Sequence, residues 1–280
     1  MKKYLGCAAI FFGFFCVVSS ARISQNNIHG RWKAIRIDGE ININMRIVQK
    51  REFGDWQYSR TFQESEFEGL VLGKDVNFRL VREAGTLSFD GDLSEEGGSG
   101  SFTFYPSLEF EGFLDEKGFR GVEDKELLML CLNGLSRKYI DDLLALGYAD
   151  IAFSDLISFA IHGVTIDFVK EIHALGYNNI SPSKLISFRI HDVEPEYIKS
   201  LREFGYTNLD PDKLISFAIH GVTLNFVKSI HAAGYKDISP SDLISFRIHD
   251  VDKTFIDRMN DKWGKKLTPR KIISLKIQEF

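Results

Sequence analysis

One stretch of sequence, repeated at a fixed spacing, constrains this chain more than any other feature. Leu127, Leu156, Leu185, Leu214, Leu243 and Ile272 recur every 29 residues, and Gly-Tyr pairs begin at 147, 176, 205 and 234. A period of this size is the mark of stacked supersecondary units, none of which can bury its apolar face alone. Within one unit, Phe168, Val169, Ile172 and Leu175 fall at helical spacing and predict a helix over about Thr165 to Leu175. Gly176 ends it, because glycine enters the left-handed region without steric cost, and Tyr177 is placed to pack back on Ile172 as in a Schellman ending. Ser181-Pro182, Asp210-Pro211, Ser239-Pro240 and Thr268-Pro269 then each supply a capping oxygen followed by proline at the first helical position. Leu185, Ile186, Phe188 and Ile190 are expected to supply the buried face of that second helix. Helices this short are marginal alone, so their stability must come from neighbouring units.

A second period of 58 overlies the first. Residues 163–193 and 221–251 differ at seven of 31 positions, which duplication of a two-unit block explains. The alternation pairs residue types: Arg189 goes with Asp192 and Arg247 with Asp250, whereas Ala160 goes with Gly163 and Ala218 with Gly221. An acid at a helix C-terminus is badly placed against the macrodipole, so these arginines are expected to make contacts between units.

The chain ahead of the repeats has a different character. Lys2-Lys3, an apolar run from Leu5 to Val18 and Ser19-Ser20-Ala21 read as an export signal over residues 1–21, too short to span a bilayer comfortably. Cleavage after Ala21 would leave Cys131 as the one cysteine and preclude an internal disulfide. Residues 22–118 alternate with a period of two, as in Ile41-x-Ile43-x-Met45-x-Ile47, Val76-x-Phe78-x-Leu80 and Phe102-x-Phe104. Six or seven strands follow, with turns at Asp38-Gly39, Phe53-Gly54-Asp55 and Ala84-Gly85, and a further hairpin at the Gly97-Gly98-x-Gly100 cluster. The expected fold is α+β in two domains: an antiparallel β sandwich or small barrel over 22–118, then an α-solenoid of 29-residue repeats over 119–280.

Chemistry-bearing motifs are absent from the sequence. It contains no His-Glu-x-x-His, no Gly-x-Ser-x-Gly, no phosphate-cradling Gly-x-x-x-x-Gly-Lys and no paired-cysteine metal site. No catalytic residue, cofactor or metal is expected. His162, His191, His220 and His249 share one repeat column with Asn133 and Gln278, and that exchange with neutral amides points to a hydrogen bond near a helix end. Glu64, Glu66 and Glu68 read as a solvated edge. A net charge of -4 argues against nucleic acid, although residues 253–276 carry eight basic side chains against Asp257 and Asp261.

The segments Phe78-Arg-Leu-Val-Arg-Glu-Ala-Gly-Thr-Leu-Ser-Phe-Asp-Gly91, Gly100-Ser-Phe-Thr-Phe-Tyr-Pro106 and Gly118-Phe119, followed by the His-[Gly/Asp]-Val and Leu-Gly-Tyr repeats, resemble the extracytoplasmic region of bacterial BlaR1/MecR1-like membrane proteins. In that family a metallopeptidase precedes the region; its zinc motif and membrane helices have no counterpart in this sequence. The resemblance implies a sensory or scaffolding module and carries over no catalytic residue. The expected function is therefore a periplasmic or secreted, non-enzymatic interaction module, with no stable membrane insertion after signal cleavage. It would bind an extracytoplasmic macromolecule through Lys170, His173 and Arg189 and their matches two units on, Lys228, His231 and Arg247. The alternative is a small ligand or cell-wall fragment held by the β domain.

Overall fold

The computed structural model describes residues 27–38, 40–47 and 56–279. The expected export segment, Gly39 and the turn at Phe53-Gly54-Asp55 lie outside them. Seven strands form one antiparallel sheet: β1 Ile28–Ile37, β2 Glu40–Ile47, β3 Gln57–Gln63, β4 Phe67–Glu68, β5 Gly73–Arg82, β6 Gly85–Leu93 and β7 Gly97–Pro106. Their order is β3-β2-β1-β7-β6-β5-β4. The sheet curls into a half-barrel, so the expected antiparallel β fold followed by helices is present, as one curled sheet. The sheet is single because β1 pairs with both β2 and β7 and so joins the two halves of the strand order.

The strands bury every second residue, as their alternation requires. Trp32 meets Phe78 edge-on at 5.5 Å, Phe78 stacks on Phe89 at 5.0 Å, and Phe67 meets Phe62, Phe78 and Phe89. These rings are all buried, so the inside of the curl is filled with side chains. Gly97, Gly98 and Gly100 lie within β7 itself and are not confined to a hairpin turn. Gly100 faces Trp32 on β1 and Gly91 on β6, and the Trp32 indole N–H donates to Ser101 O at 3.1 Å and Asp90 O at 3.3 Å.

The connection from β3 to β4 joins the two edge strands through a 3₁₀ turn at Glu64–Glu66. Glu64 and Glu66 are half-buried and do not form the expected solvated edge, whereas Glu68, on the edge strand β4, is exposed as expected. Glu64 accepts from Arg36 at 2.6 Å and Glu66 from Arg82, so these two carboxylates tie the crossing to β1 and β5, while Glu68 accepts from its cross-strand neighbour Arg79 at 3.1 Å.

Twelve helices follow among the described residues, in six pairs: α1 Leu108–Glu116 with α2 Asp124–Asn133, α3 Arg137–Ala145 with α4 Phe153–His162, α5 Ile166–Ala174 with α6 Pro182–Ile190, α7 Pro195–Glu203 with α8 Pro211–Ile219, α9 Leu224–Ala232 with α10 Pro240–Ile248, and α11 Lys253–Trp263 with α12 Pro269–Ile277. Helical structure starts at Leu108, ahead of residue 118, and Ser107 both separates it from β7 and caps it through Phe110 N. From α2 on, each helix packs on the one two places along: α2, α4, α6, α8, α10 and α12 make one row, and α3, α5, α7, α9 and α11 the other. The repeated Leu column at 127, 156, 185, 214 and 243, with Ile272, is fully buried throughout. The sheet joins the first pair directly: α2 packs on β6 and β7, and Asn133 accepts from Tyr58 Oη at 2.9 Å and Arg60 Nη1 at 2.8 Å.

The Schellman endings form as the glycine-tyrosine spacing predicts. Gly176 takes φ +90°, and Tyr177 N donates to Ile172 O at 3.3 Å. Asp210, Ser239 and Thr268 cap their helices through side-chain oxygens, while Ser181 instead bonds to Ser183. The tyrosines also reach forward by 32 residues. Tyr148 donates to Ile180 O at 3.1 Å, Tyr177 to Leu209 O at 2.7 Å, Tyr206 to Ile238 O at 3.1 Å and Tyr235 to Leu267 O at 2.6 Å. Each bond fastens one pair to the loop of the next. Tyr206→Phe is expected to lower stability by about 0.5–1.5 kcal/mol, the usual net worth of such a bond, as read by urea unfolding.

Candidate functional site on the helix pairs

The two arginines of the 58-residue block do bridge units. Arg189, on α6, donates Nε to His162 O at 3.4 Å and lies 5.2 Å from the Phe168 ring centroid on α5; its Nη1 pairs with Glu194. Arg247, on α10, repeats this with His220 O at 3.2 Å and Phe226 at 5.0 Å. Each guanidinium thus sits at the C-terminal end of the preceding pair's second helix, where a cation is favoured by the macrodipole. The residue facing each arginine is a glycine. Gly163 and Gly221 have φ +65° and +66°, and a Cβ added at Gly221 would come within 3.1 Å of Arg247. In the other units Asp192 and Asp250 hold the same left-handed conformation at φ 54° and 52°.

His173 and His231 lie in the last turns of α5 and α9. The Tyr148 hydroxyl meets His173 Nε2 at 3.2 Å and that of Tyr206 meets His231 Nε2 at 3.3 Å. Burial pushes both tyrosine hydroxyls up to about 12 and lowers both imidazoles below the usual histidine value. A depressed histidine disfavours folding once it must charge. Stability is therefore expected to fall as pH drops from the unfolded histidine value through the lower folded one, and a His173→Asn, His231→Asn chain should lose part of that slope in thermal melts.

The column expected to hydrogen-bond does so in only one place. Asn133 bonds to the sheet and donates to Met129 O at 2.8 Å, but the imidazoles of His162, His191, His220 and His249 are half-buried and make no side-chain hydrogen bond among the described residues. His191→Asn and His220→Asn are expected to shift the melting temperature by less than about 2 °C, with no rise on adding zinc. A stoichiometric zinc effect lost in these variants would count against that reading. Among the described residues, no group of histidine, cysteine, aspartate and glutamate side chains is placed to hold a metal. Cys131 is buried beside Gly85 O at 3.4 Å, and desolvation pushes its thiol up to about 12, far from the thiolate a nucleophile needs.

Lys170 is exposed, and Lys228 sits 5.7 Å from the Phe204 ring centroid. The six residues singled out from the sequence thus fall into repeated environments without converging on one patch. The arginines and histidines among them are engaged within the chain.

A more continuous feature lies on the second helices. Ile161, Ile190, Ile219, Ile248 and Ile277 occupy one repeat column and are 46%, 51%, 56%, 55% and 52% exposed. The same column in the first pair is Leu132, which is 1% exposed because α2 lies against the sheet. The recurrence is visible in the sequence; the exposure is not, since isoleucine at helical spacing reads as core. Comparison with family models, with curated proteins and with solved structures finds no match to this chain, so its residues and geometry carry the functional argument.

Proposed function

We propose that this chain is an exported, non-enzymatic interaction module in which the six helix pairs form an α-solenoid and the isoleucine column receives a protein partner. The observation that carries this reading is the change along that column: one member is covered by the chain's own sheet, and five remain half-exposed. Isolated exposed isoleucines need no explanation, but a regular row of them on successive elements is the kind of apolar surface that marks a contact site. Identical side chains at equal spacing favour a partner that engages several units together, since each later contact is intramolecular and the gain over one site reaches roughly 100-fold. The six residues named from the sequence enter this reading differently. Arg189, Arg247, His173 and His231 hold the units in register, leaving Lys170 and Lys228 as the charged groups available to a partner.

A photo-crosslinking side chain placed at Ile190 or Ile248 in the exported protein tests this. Discrete protein adducts are expected from both positions and should disappear when Ile161 and Ile219 are changed to glutamate. Adducts obtained only from a control position on the sheet, Val81, or from none of the three, would sink the proposal.

A further inference from the structure

Each helix pair after the first has a seat for a basic side chain, formed by an aromatic ring, a carbonyl at a helix C-terminus and the left-handed residue after it. Arg189 fills the seat over Phe168, beside Gly163, and Arg247 fills the one over Phe226, beside Gly221. Lys276 lies 4.8 Å from the centroid of Phe255 in the last. Position 160 carries alanine, yet Arg82 comes across from β5 to lie 4.0 Å from where a Cβ on Gly134 would stand. A guanidinium from outside the repeats thus takes the place beside Gly134 that Arg189 takes beside Gly163.

The remaining seat is empty. Ala218 stands where Arg189 and Arg247 stand in the flanking units, and an alanine has no cationic group to place there. A cavity of about 440 Å³ opens there, lined by His191, Asp192, Tyr197, Ala218, Val222 and Leu224 among others. Tyr197 supplies the ring and turns its hydroxyl to Val222 O, and the His191 carbonyl is the counterpart of His162 O and His220 O. Asp192 stands where the two arginine seats have Gly163 and Gly221, adding a carboxylate that those two lack, and Asp250 holds the same place in the lysine seat. The apolar wall suits a methylene stem, and the ring, carbonyl and carboxylate suit a planar cation. From this geometry we infer that the Ala218 cavity is a binding site for an arginine side chain of a protein partner, docked as Arg189 and Arg247 dock within the chain. The site stands on these seats and does not require the isoleucine column to be an interface.

The test is a nuclear magnetic resonance titration of the whole protein with acetyl-Gly-Arg-Gly-amide. At millimolar peptide, the amides of residues 191, 192 and 221 to 225 are expected to shift, while acetyl-Gly-Leu-Gly-amide leaves them in place. Ala218→Arg would fill the seat from within, abolishing the shifts and raising the melting temperature by about 2–4 °C. Asp192→Asn, which leaves the packing intact, should weaken the peptide several-fold. Equal shifts from the leucine peptide, no shifts from either, or full binding by the Ala218→Arg protein would overturn the assignment. Tighter binding of free arginine than of the capped peptide would also overturn it, in favour of a small-molecule pocket. Neither peptide result depends on adducts at Ile190 or Ile248, so this inference and the interaction reading fail separately.

Discussion

Phe217→Ala is expected to lower the stability of the chain by about 3–5 kcal/mol, the cost of deleting a fully buried ring from a site that cannot collapse. Phe217 lies on α8 between α6 and α10 and is 0% exposed, and Tyr206 packs edge-on against it at 6.2 Å. Its counterparts Phe188 and Phe246 carry rings in the same column, so neighbouring pairs present preformed walls with little freedom to move inward. Equilibrium unfolding in urea measures the loss. Ile219→Ala, two residues on and half-exposed, should cost less than about 1 kcal/mol. A Phe217→Ala protein as stable as the Ile219→Ala protein would mean that the helix pairs do not share one core.

Gly100→Ala is expected to do comparable damage by the opposite route, through overcrowding. A Cβ on Gly100 would fall 1.8 Å from Asp90 O and 2.8 Å from Gly91 Cα, inside the ladder between β6 and β7. Both atoms belong to backbone that is itself paired, so relief requires moving a strand, at a cost of about 1–3 kcal/mol or more. Strand movement would also disturb the two hydrogen bonds of the Trp32 indole, and indole fluorescence is the second readout. Ser99→Ala is the matched control, with an exposed side chain already present on the same strand. If Gly100→Ala and Ser99→Ala melt together, the close approach of the strands is wrong.

The contrast between these two sites explains what was legible in the sequence. Phe217 declares itself, because its column repeats every 29 residues and burial needs only a period. Gly100 does not, because glycines in a cluster read as a turn, and only the pairing of β7 between β1 and β6 reveals a strand that needs room. The Schellman endings were legible for the same reason as Phe217, but the forward reach of Tyr177 to Leu209 O was not, since a hydroxyl can point either way along a stack. The alternation of Arg189 and Arg247 with Ala160 and Ala218 pointed to contacts between units. The ring on which each arginine lies, and the cavity left at Ala218, follow from the register of successive pairs, which no single unit contains. Helix α1 is not legible in the sequence because Gly112 and the acids of Leu108–Glu116 blur the pattern that later units keep. The pairing of Glu64 and Glu66 with arginines from β1 and β5 was hidden by distance along the chain.

The tyrosine bonds that run from each pair to the loop of the next also determine how this protein would respond to a pull. Because the strongest contacts of a helix are with the helices two places away, tension applied at the C-terminus loads one seam at a time. The Tyr235 bond to Leu267 O gives way first, then that of Tyr206 to Ile238 O, and each freed pair adds 29 residues of slack, about 100 Å when drawn out. The sheet, whose seven strands are hydrogen-bonded side by side, has no such seam and would hold until last. A chain tethered at both ends would therefore pay out length in equal increments while its β part stayed folded.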